Sequence, residues 1–457
     1  MAVVVGIDEE RLRTLGARFS GVLLRLKDEG YEEARRVHNG LIDKRPALIA
    51  RCRGTADIVE ALALARETGL EVSVRGGGHN VAGRAVTEGG IMIDLSLMKG
   101  IHVDPKARIV RAQGGVLWGE FNRETALHGL ATTGGVISTT GIAGLTLGGG
   151  VGWLIGKYGL AVDNLLSTEL VTADGRVLTV SDEDHPDLFW ALRGGGGNFG
   201  IAASLEYRLH PLEQVYGGLA VYPLDGAQEV LRFFRDFTQS LPDDLMVVGG
   251  LVHAPDGSGV PLAALAICHS GSIEQAEKDV RPLLDFGSPA MSQIGPLPYP
   301  AVNTMLDDGY PRGALNYWKT SFIRSLDDGA IDEMVDRFTA CPSPMSGMFM
   351  EVFHGAATRV DPTATAVQHR MPGYNFLVTS VWTDMETTDE NVAWARGTYD
   401  AIKPYLEDRR WLNYLDHDDA EDAVRSAYGP NYERLAAVKR RYDPDNLFRL
   451  NHNIQPA

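Results

Sequence analysis

Between about residues 217 and 405, the chain alternates short apolar runs with amphipathic stretches of helical period. The apolar runs predict strands at Gly218–Tyr222, Met246–Val252, Leu262–His269, Leu315–Phe322, Met348–His354 and Asn375–Trp382. The amphipathic stretches predict helices at Gly226–Gln239, Ser272–Leu284, Gly329–Thr339 and Asp389–Tyr405. This order of elements predicts an antiparallel sheet backed by helices, which is an α+β domain.

The first part of the chain predicts a separate, compact α+β lobe. Gly21–Asn39 is polar and helix-prone, and Thr55 can cap a helix over Ala56–Thr68. That helix leads into a short apolar strand at Val72–Val74. Ile101–Ala112 alternates apolar and polar residues, which predicts one half-buried strand.

A glycine-rich segment follows the Val72–Val74 strand directly, in the sequence RGGGHN. Its three glycines allow positive φ and a close approach of backbone to a flat or anionic ligand. Arg75 adds a fixed positive charge, and the glycine amides can form an anion-binding nest. Taken alone, the segment is better interpreted as a glycine-rich turn in which His79 is merely hydrogen-bonded, and it is the rest of the chain that favours a ligand site.

A second glycine-rich tract covers Thr132–Asn164 and carries few charges. Several of its apolar residues, such as Trp153, need burial, so a flexible linker is an unsuitable interpretation. The spacing of its glycines suggests backbone packed against a large planar cofactor. A third cluster places a formal GxGxxG at Gly195, Gly197 and Gly200, but it follows a predicted helix and leads into a strand. A dinucleotide fingerprint has the opposite order, so we reject a nicotinamide site.

Composition narrows the classes of partner and compartment. The chain has 457 residues, a net charge of −17 and 44% hydrophobic residues, and its pI is near 5.2. The length predicts two or three domains. The negative charge argues against a nucleic-acid or anionic-membrane partner. The Met1–Ile7 start lacks the basic flank of a signal peptide, and no run reaches transmembrane length. Three widely spaced cysteines suggest reduced thiols and not a disulfide framework, so we expect a cytoplasmic protein.

The three glycine-rich elements, with KYGLAVDN and the late segment Asn431–Asn453, resemble the vanillyl-alcohol-oxidase / p-cresol-methylhydroxylase superfamily. The nearest match is the berberine-bridge-enzyme-like branch, in its bacterial form. The resemblance covers nearly the whole chain and implies a two-lobed FAD-binding domain of the PCMH type in residues 1–212. It implies an antiparallel-sheet substrate domain in 213–410, with 411–457 returning to the FAD domain.

In that family the histidine after the glycines is bonded covalently to the flavin C8 methyl, and His79 matches it. Some relatives attach FAD at a second point through a cysteine, but Ile137 stands at that position here, so attachment through histidine alone is expected. No metal is expected. The cofactor contacts implied by the resemblance are Arg75, Gly76, Gly77, Gly78, His79, Asn80, Gly83, Gly115, Thr140, Gly141, Gly144, Gly148, Gly149, Gly150, Gly197, Asn198, Ile201, Asn451 and Asn453.

Two residues are candidates for the base that takes a proton while hydride leaves the substrate. Tyr414 matches a family segment in which a tyrosine lines the substrate cavity. Glu351 lies on a predicted strand whose alternation puts Phe349, Glu351 and Phe353 on one face. A buried acid there needs either a partner or a function, and an ion pair with an arginine such as Arg359 is the alternative.

Two further groups of polar residues have simpler interpretations. Lys319 could lie on the substrate-facing sheet or at the surface. An acidic cluster suggests a solvated face more strongly than a metal site, because nothing fixes its geometry; it comprises Asp416, Asp418, Asp419, Glu421 and Asp422.

These features predict an FAD-dependent oxidase that takes hydride from a CH–OH or CH–NH group of a small molecule and passes the electrons to O₂. The alternatives are a dehydrogenase or natural-product tailoring enzyme of the same fold that uses another acceptor, and a flavin-binding protein without turnover. A monomer or a homodimer is expected. The sequence does not identify the substrate, because fold alone does not fix specificity.

Overall fold

The computed structural model describes residues 7–254, 256–418 and 421–457, and the side chains of Glu421 and Asp422 are not described. Most of the predicted Met1–Ile7 start, and Asp419 of the acidic cluster, therefore lie outside the described residues. The described chain forms two small sheets, one large sheet and a two-stranded ribbon. The α+β class predicted from the pattern is confirmed.

The first lobe is a four-stranded sheet in the order β1-β2-β4-β3. β2 and β3 run parallel to β4, and β1 is antiparallel to β2. The strands are β1 (Val22–Leu24), β2 (Leu48–Arg51), β3 (Val72–Arg75) and β4 (Ile91–Asp94), and the helices are α1 (Glu9–Gly16), α2 (Tyr31–Ala34) and α3 (Thr55–Thr68).

Two predictions for this lobe are wrong. Gly21–Asn39 forms β1 and the single-turn helix α2 instead of one helix, because β1 pairs with β2 and removes the first residues from any helix. Thr55 is the first residue of α3 and not its cap: Gly54 is the N-cap, and the Thr55 hydroxyl donates to Glu169 Oε1 at 2.5 Å. That bond fastens α3 to the second lobe.

The second lobe is a five-stranded antiparallel sheet in the order β5-β6-β10-β8-β9. The predicted single strand Ile101–Ala112 is two strands, because the chain reverses before β6 with Arg108 at φ 55°. β8 and β9 form a hairpin whose turn contains Asp174 and Gly175, the latter at φ 86°. The strands are β5 (Ile101–Asp104), β6 (Ile109–Gln113), β7 (Leu130–Ala131), β8 (Leu165–Val171), β9 (Val177–Ser181), β10 (Ile201–Arg208) and β11 (His210–Pro211), with helices α4 (Trp118–Ala126), α5 (Ile142–Leu147), α6 (Ile155–Tyr158) and α7 (Pro186–Leu192).

The large sheet has seven antiparallel strands in the order β15-β12-β14-β13-β17-β18-β16. All six predicted strands are present within a few residues of their predicted bounds. The seventh, β15, was missed because it contains Gly295 and Pro296, which are tolerated at this edge of the sheet. The strands are β12 (Val215–Pro223), β13 (Leu245–His253), β14 (Pro261–His269), β15 (Met291–Leu297), β16 (Leu315–Ile323), β17 (Gly347–Phe353) and β18 (Gly373–Trp382).

One face of this sheet is covered by helices, as the pattern predicted, and the other faces the first two lobes. The helices of this region are α8 (Ala227–Phe237), α9 (Ile273–Leu284), α10 (Tyr299–Thr304), α11 (Asp328–Thr339), α12 (Ala356–Arg359) and α13 (Thr388–Ile402). No helix in the described part of the chain is long and apolar enough to cross a membrane.

The last segment returns to the second lobe through α14 (Glu421–Tyr428) and α15 (Tyr432–Tyr442). Lys439 and Asp443 form a fully buried ion pair of 2.6 Å. The Lys439 ammonium also donates to the carbonyls of Asn198 and Phe448, at 2.8 and 3.1 Å. Because breaking a buried pair leaves an uncompensated charge, this contact firmly holds the late segment beside the third glycine-rich element.

Candidate active site

A cavity lies between the first two lobes, the large sheet and the late segment, and its walls come from segments far apart in sequence. Glycines of the first two lobes form one wall, the late segment forms another, and the large sheet closes one end. Twelve of the predicted cofactor contacts line it: Gly76, Gly77, Gly78, His79, Asn80, Thr140, Gly141, Gly144, Gly148, Gly197, Asn198 and Asn451.

Seven predicted contacts lie outside the cavity wall, and their surroundings show why. Gly115 is required by packing, because a methyl group there would lie 1.8 Å from the Leu95 carbonyl oxygen. Gly149 and Gly150 have φ of 117° and 81°, so they serve a turn of the backbone. The complete set outside the wall is Arg75, Gly83, Gly115, Gly149, Gly150, Ile201 and Asn453.

The two main glycine tracts touch each other at Gly77 and Gly141. A methyl group at Gly77 would lie 2.4 Å from the Gly141 amide nitrogen, and the converse distance is the same. Only glycine permits this approach of two backbones. Gly144 and Gly197 differ, because a methyl group on either would meet nothing within 4 Å in the described chain and would enter the cavity.

Arg75 does not supply the predicted charge to a ligand. Its guanidinium is bonded to the buried carboxylate of Asp94 at 2.9 and 2.5 Å and donates to two backbone carbonyls. Arg84 is instead the only Lys or Arg among the described residues that line the cavity. Its charge contributes to lowering the pKa of His452, which burial holds at about 3.

His79 lies on the cavity wall with its ring against that of His38. Burial, with a smaller contribution from His38, lowers the pKa of His79 to about 3, so its imidazole is neutral near pH 7. His38 was not singled out from the sequence, because it is 41 positions away and carries no motif of its own.

A planar, polar cofactor fits this cavity. Besides the glycine cradle, buried nitrogen and oxygen atoms of its lining residues have no hydrogen-bond partner within the described chain. Such atoms are costly unless a ligand pairs with them. They are His79 Nε2, Asn80 Oδ1, Asn413 Oδ1, Asn451 Oδ1 and both ring nitrogens of His452.

Glu351 and Tyr414 meet at the large-sheet end of the cavity. The Tyr414 hydroxyl donates to Glu351 Oε1 at 3.0 Å, and the Asn375 amide donates to Glu351 Oε2 at 2.7 Å. Glu351 is only 4% exposed. Burial raises its pKa to about 7, although both hydrogen bonds act in the opposite direction. Burial and the Glu351 charge raise the pKa of Tyr414 well above its ordinary value.

The rest of this end is apolar and aromatic. Its lining side chains include Val248, Leu306, Tyr310, Trp318, Phe349 and Leu377. The segment that carries Leu306 and Tyr310 is tied to the second glycine tract, since Asp307 accepts from the Ser138 amide at 2.9 Å. The cavity end is therefore walled on several sides, mostly by apolar side chains.

The expected alternation along β17 is observed, but the alternative partner of Glu351 is wrong. Phe349 and Glu351 line the cavity, while Met348 and Met350 pack under the helices. Arg359 forms its ion pair with Asp243 at 2.5 Å and not with Glu351.

Lys319 and the acidic cluster also differ from expectation. Lys319 is 9% exposed and pairs with Asp418 at 2.7 Å, and the alternation of β16 puts it on the helix-covered side. Asp416 is fully buried and accepts from the Trp318 amide at 2.8 Å. Asp416 is therefore not part of a solvated face, whereas Asp418 is exposed while its carboxylate pairs with Lys319. The described residues contain no group that could hold a metal ion.

Comparison with known proteins agrees with this geometry. A family model described as "FAD binding domain" matches residues 46–181, and one described as "Berberine and berberine like" matches residues 411–455. (R)-6-hydroxynicotine oxidase of Paenarthrobacter nicotinovorans is 32% identical over 441 residues, covering 94% of this chain and 95% of that protein.

Solved structures extend the likeness to the whole fold. The crystal structure of 6-hydroxy-D-nicotine oxidase from Arthrobacter nicotinovorans has a TM-score of 0.88 at 31% identity and covers 96% of this chain and 98% of its own. A berberine-bridge-enzyme-like protein of Physcomitrella patens has a TM-score of 0.87 at 20% identity, covering 97% of this chain and 99% of its own, which shows the fold alone. The chain therefore belongs to the berberine-bridge-enzyme-like family of FAD-dependent oxidoreductases, as the glycine motifs predicted.

Proposed function

We propose that this protein is an oxidase that removes hydride from a carbon bearing nitrogen or oxygen in a small molecule. FAD would be held covalently by His79, and O₂ would be the electron acceptor. The observation that carries the proposal is the buried Glu351 carboxyl, bonded to Tyr414 at an apolar end of the cavity. A proton acceptor in a walled, largely apolar site is what such an oxidation needs from the protein.

Glu351 is the proposed base. With a pKa of about 7, it is a mixture of acid and carboxylate near neutral pH, so it can accept a proton and later return it to solvent. Its carboxylate would take the proton from the substrate N–H or O–H. When bound, FAD supplies the acceptor for the hydride.

Tyr414 is proposed as a hydrogen-bond donor and not as the base. Its raised pKa keeps the phenol protonated, and its hydroxyl already donates to Glu351. A protonated phenol stabilises the carboxylate form of Glu351 and orients it. This assigns different roles to the two residues that the sequence left as equal candidates.

The lining favours an amine over a sugar-like alcohol. Apolar and aromatic side chains surround one acid, and the described lining residues at this end include no Lys or Arg. A protonated amine would pair with the Glu351 carboxylate, and loss of its proton frees the nitrogen lone pair that assists hydride departure. The nicotine-derived substrate in the relative's name is consistent with this choice.

For the cofactor, we propose a single covalent bond at His79. Its ring is neutral, faces the cavity and is held by a second ring, which suits a nucleophile toward the flavin methyl group. The new C–N bond would replace a methyl C–H and an imidazole N–H, the two electrons released would reduce the flavin, and O₂ would reoxidise it with formation of H₂O₂. Ile137 lines the cavity where a second attachment would require a cysteine. Flavin fluorescence should therefore stay with the acid-precipitated polypeptide, and peptide mapping should find it only on the peptide that contains His79.

The deciding experiment is anaerobic mixing of the purified flavoprotein with cyclic and secondary amines, (R)-6-hydroxynicotine among them, and with phenolic and sugar alcohols. At least one amine should bleach the flavin, and added O₂ should restore the colour with formation of H₂O₂. Restoration by an artificial acceptor but not by O₂ would indicate a dehydrogenase. If dithionite bleaches the flavin but none of the amines or alcohols does, the proposed oxidation of such substrates is contradicted.

A further inference from the structure

Asn375 lies beside Glu351, the proposed base, on the neighbouring strand of the large sheet. It is fully buried on β18, and its amide nitrogen is 2.7 Å from Glu351 Oε2. We propose that Asn375 is a positioning residue that holds the Glu351 carboxyl in place and stabilises its ionised form. This inference rests on the proposed role of Glu351, to which it adds the residue that makes the role possible.

The sheet register places these side chains together. Glu351 is paired with Asn375 on one neighbouring strand and with Val248 on the other. Directly opposed residues on neighbouring strands project to the same face with close Cβ atoms. Asn375 is therefore next to Glu351 by strand geometry and not by the chance rotamer of a loop.

The orientation of the Asn375 amide is also fixed. The Thr320 hydroxyl has one proton, which it shares between the Phe376 carbonyl oxygen at 3.1 Å and Asn375 Oδ1 at 3.3 Å. With its oxygen facing Thr320, the amide presents its NH₂ group to Glu351. An NH donor favours the carboxylate over the neutral acid.

Few other groups act on the Glu351 charge. Tyr414 donates to it, and Tyr310 lies close by with a pKa that burial raises, so both phenols stay protonated. Lys319, on neighbouring β16, points to the helix-covered side. Arg84 lines the same cavity, but it belongs to the first lobe and not to the large sheet. Neutral donors alone therefore offset the burial of the carboxylate, and Asn375 supplies one of the two hydrogen bonds.

The arrangement leaves room for a substrate proton. A carboxylate has about four acceptor positions. Asn375 occupies one on Oε2 and Tyr414 one on Oε1, so each oxygen retains a position, and Glu351 itself lines the cavity. Without Asn375 the carboxyl could rotate, and its neutral form would be favoured.

The test is a pH titration of Glu351 by infrared difference spectroscopy on the flavin-loaded protein, with Glu351→Gln identifying its carbonyl band. Asn375→Leu removes the amide at similar size. Since hydrogen bonds to charged groups contribute about 1.5–3 kcal/mol, the Glu351 midpoint should rise by about one to two pH units. Asn375→Val, which suits a strand, should shift it in the same direction if Asn375→Leu loads poorly.

The matched control is Asn391→Leu. Asn391 is another buried asparagine, on the helix-covered side, and its side-chain amide donates to the Thr387 carbonyl at 2.9 Å. Its loss should reduce stability and leave the Glu351 midpoint unchanged. An unchanged midpoint in both Asn375 variants, or an equal shift in Asn391→Leu, would overturn the positioning role.

The titration needs no substrate, so it separates this inference from the proposed function. Once a compound that the protein oxidises is known, the pH dependence of flavin reduction in Asn375→Leu should follow the shifted Glu351 midpoint. At high pH the rate should recover to within a few-fold of the wild-type rate. A shifted midpoint together with normal oxidation by Glu351→Gln would retain Asn375 as the partner of Glu351 but remove Glu351 as the base.

Discussion

The imidazole rings of His38 and His79 lie face to face, with centroids 3.9 Å apart and an angle of 19° between their planes. His38 is held there by its own backbone, whose amide donates to the Gly78 carbonyl at 2.9 Å. Burial lowers the pKa of His38 to about 4, so both rings are neutral near pH 7. The stack limits the orientations open to His79.

We expect His38→Ala to slow covalent attachment of FAD, because His79 would gain orientations that do not face the flavin methyl group. Loss of orientation of this kind typically costs on the order of tenfold to a hundredfold. The measurement is the acid-stable flavin fluorescence of apoprotein incubated with FAD over time. His38→Phe keeps a flat ring and should attach flavin nearly as fast as the wild type. If His38→Ala matches the wild-type rate, the stack does not orient His79.

Glu351→Gln should slow substrate-driven flavin reduction by about a hundredfold to ten-thousandfold, the usual range for a lost general base. The wild-type rate should rise with pH through about 7, since the ionised form accepts the proton. Tyr414→Phe removes a donor to the carboxylate, so its rising limb should move to higher pH with a plateau within tenfold of wild type. A plateau lowered a hundredfold in Tyr414→Phe would make the tyrosine the base instead.

Glu351→Gln should also stabilise the fold at alkaline pH. The folded protein holds a proton on Glu351 up to about pH 7, whereas an unfolded glutamate loses it near 4.3. Stability therefore falls as pH rises between these values, and the penalty is complete above them. Glu351→Gln should raise the free energy of unfolding by on the order of 1–3 kcal/mol at pH 8, and by less at pH 5. Urea unfolding at both pH values tests this, and a gain that does not change with pH would contradict it.

Gly144→Ala should separate cofactor binding from folding. The added methyl group meets no described protein atom within 4 Å and enters the cavity, while alanine favours the helix that contains it. We expect a folded protein whose flavin-to-protein absorbance ratio is reduced. Gly397→Ala, also in a helix and with nothing within 4 Å, should keep full flavin content. Full flavin content in Gly144→Ala would show that the cofactor does not lie against the cavity wall at Gly144.

Arg84→Met should weaken binding of FAD more than binding of riboflavin, because only FAD brings a charged diphosphate to a cavity with one lining arginine. A lost charge-assisted hydrogen bond costs about 1.5–3 kcal/mol, which corresponds to about tenfold to a hundredfold in affinity. Calorimetry in a His79→Ala background would compare the two ligands without covalent capture, and Arg84→Lys should retain most of the difference. An equal loss for both ligands would place Arg84 against the flavin ring.

Six of the seven strands of the large sheet were predictable because each is mainly apolar in sequence and buried in the structure, whereas the half-exposed edge strand β15 gave no such pattern. The late loop around Tyr414 and the glycine tracts were recognised through the family resemblance. Arg75 was assigned to the ligand because its neighbours are glycines, but its partner, Asp94, lies on another strand and only pairing of β3 with β4 brings the two together. Asn375 could have been found from the sequence only with the register of β17 against β18, which no local pattern specifies.

Asn198 binds the carbonyl of His452 across a separation of 254 positions, and the walls of the flavin cavity depend on that contact. A chain emerging from the ribosome completes both glycine-rich lobes and the large sheet long before His452 leaves the exit tunnel. Until then the cavity lacks its last wall, so cofactor capture becomes a late event in biogenesis. Lesions around His452 should therefore yield a compact, colourless protein, whereas lesions in the first lobe should prevent folding.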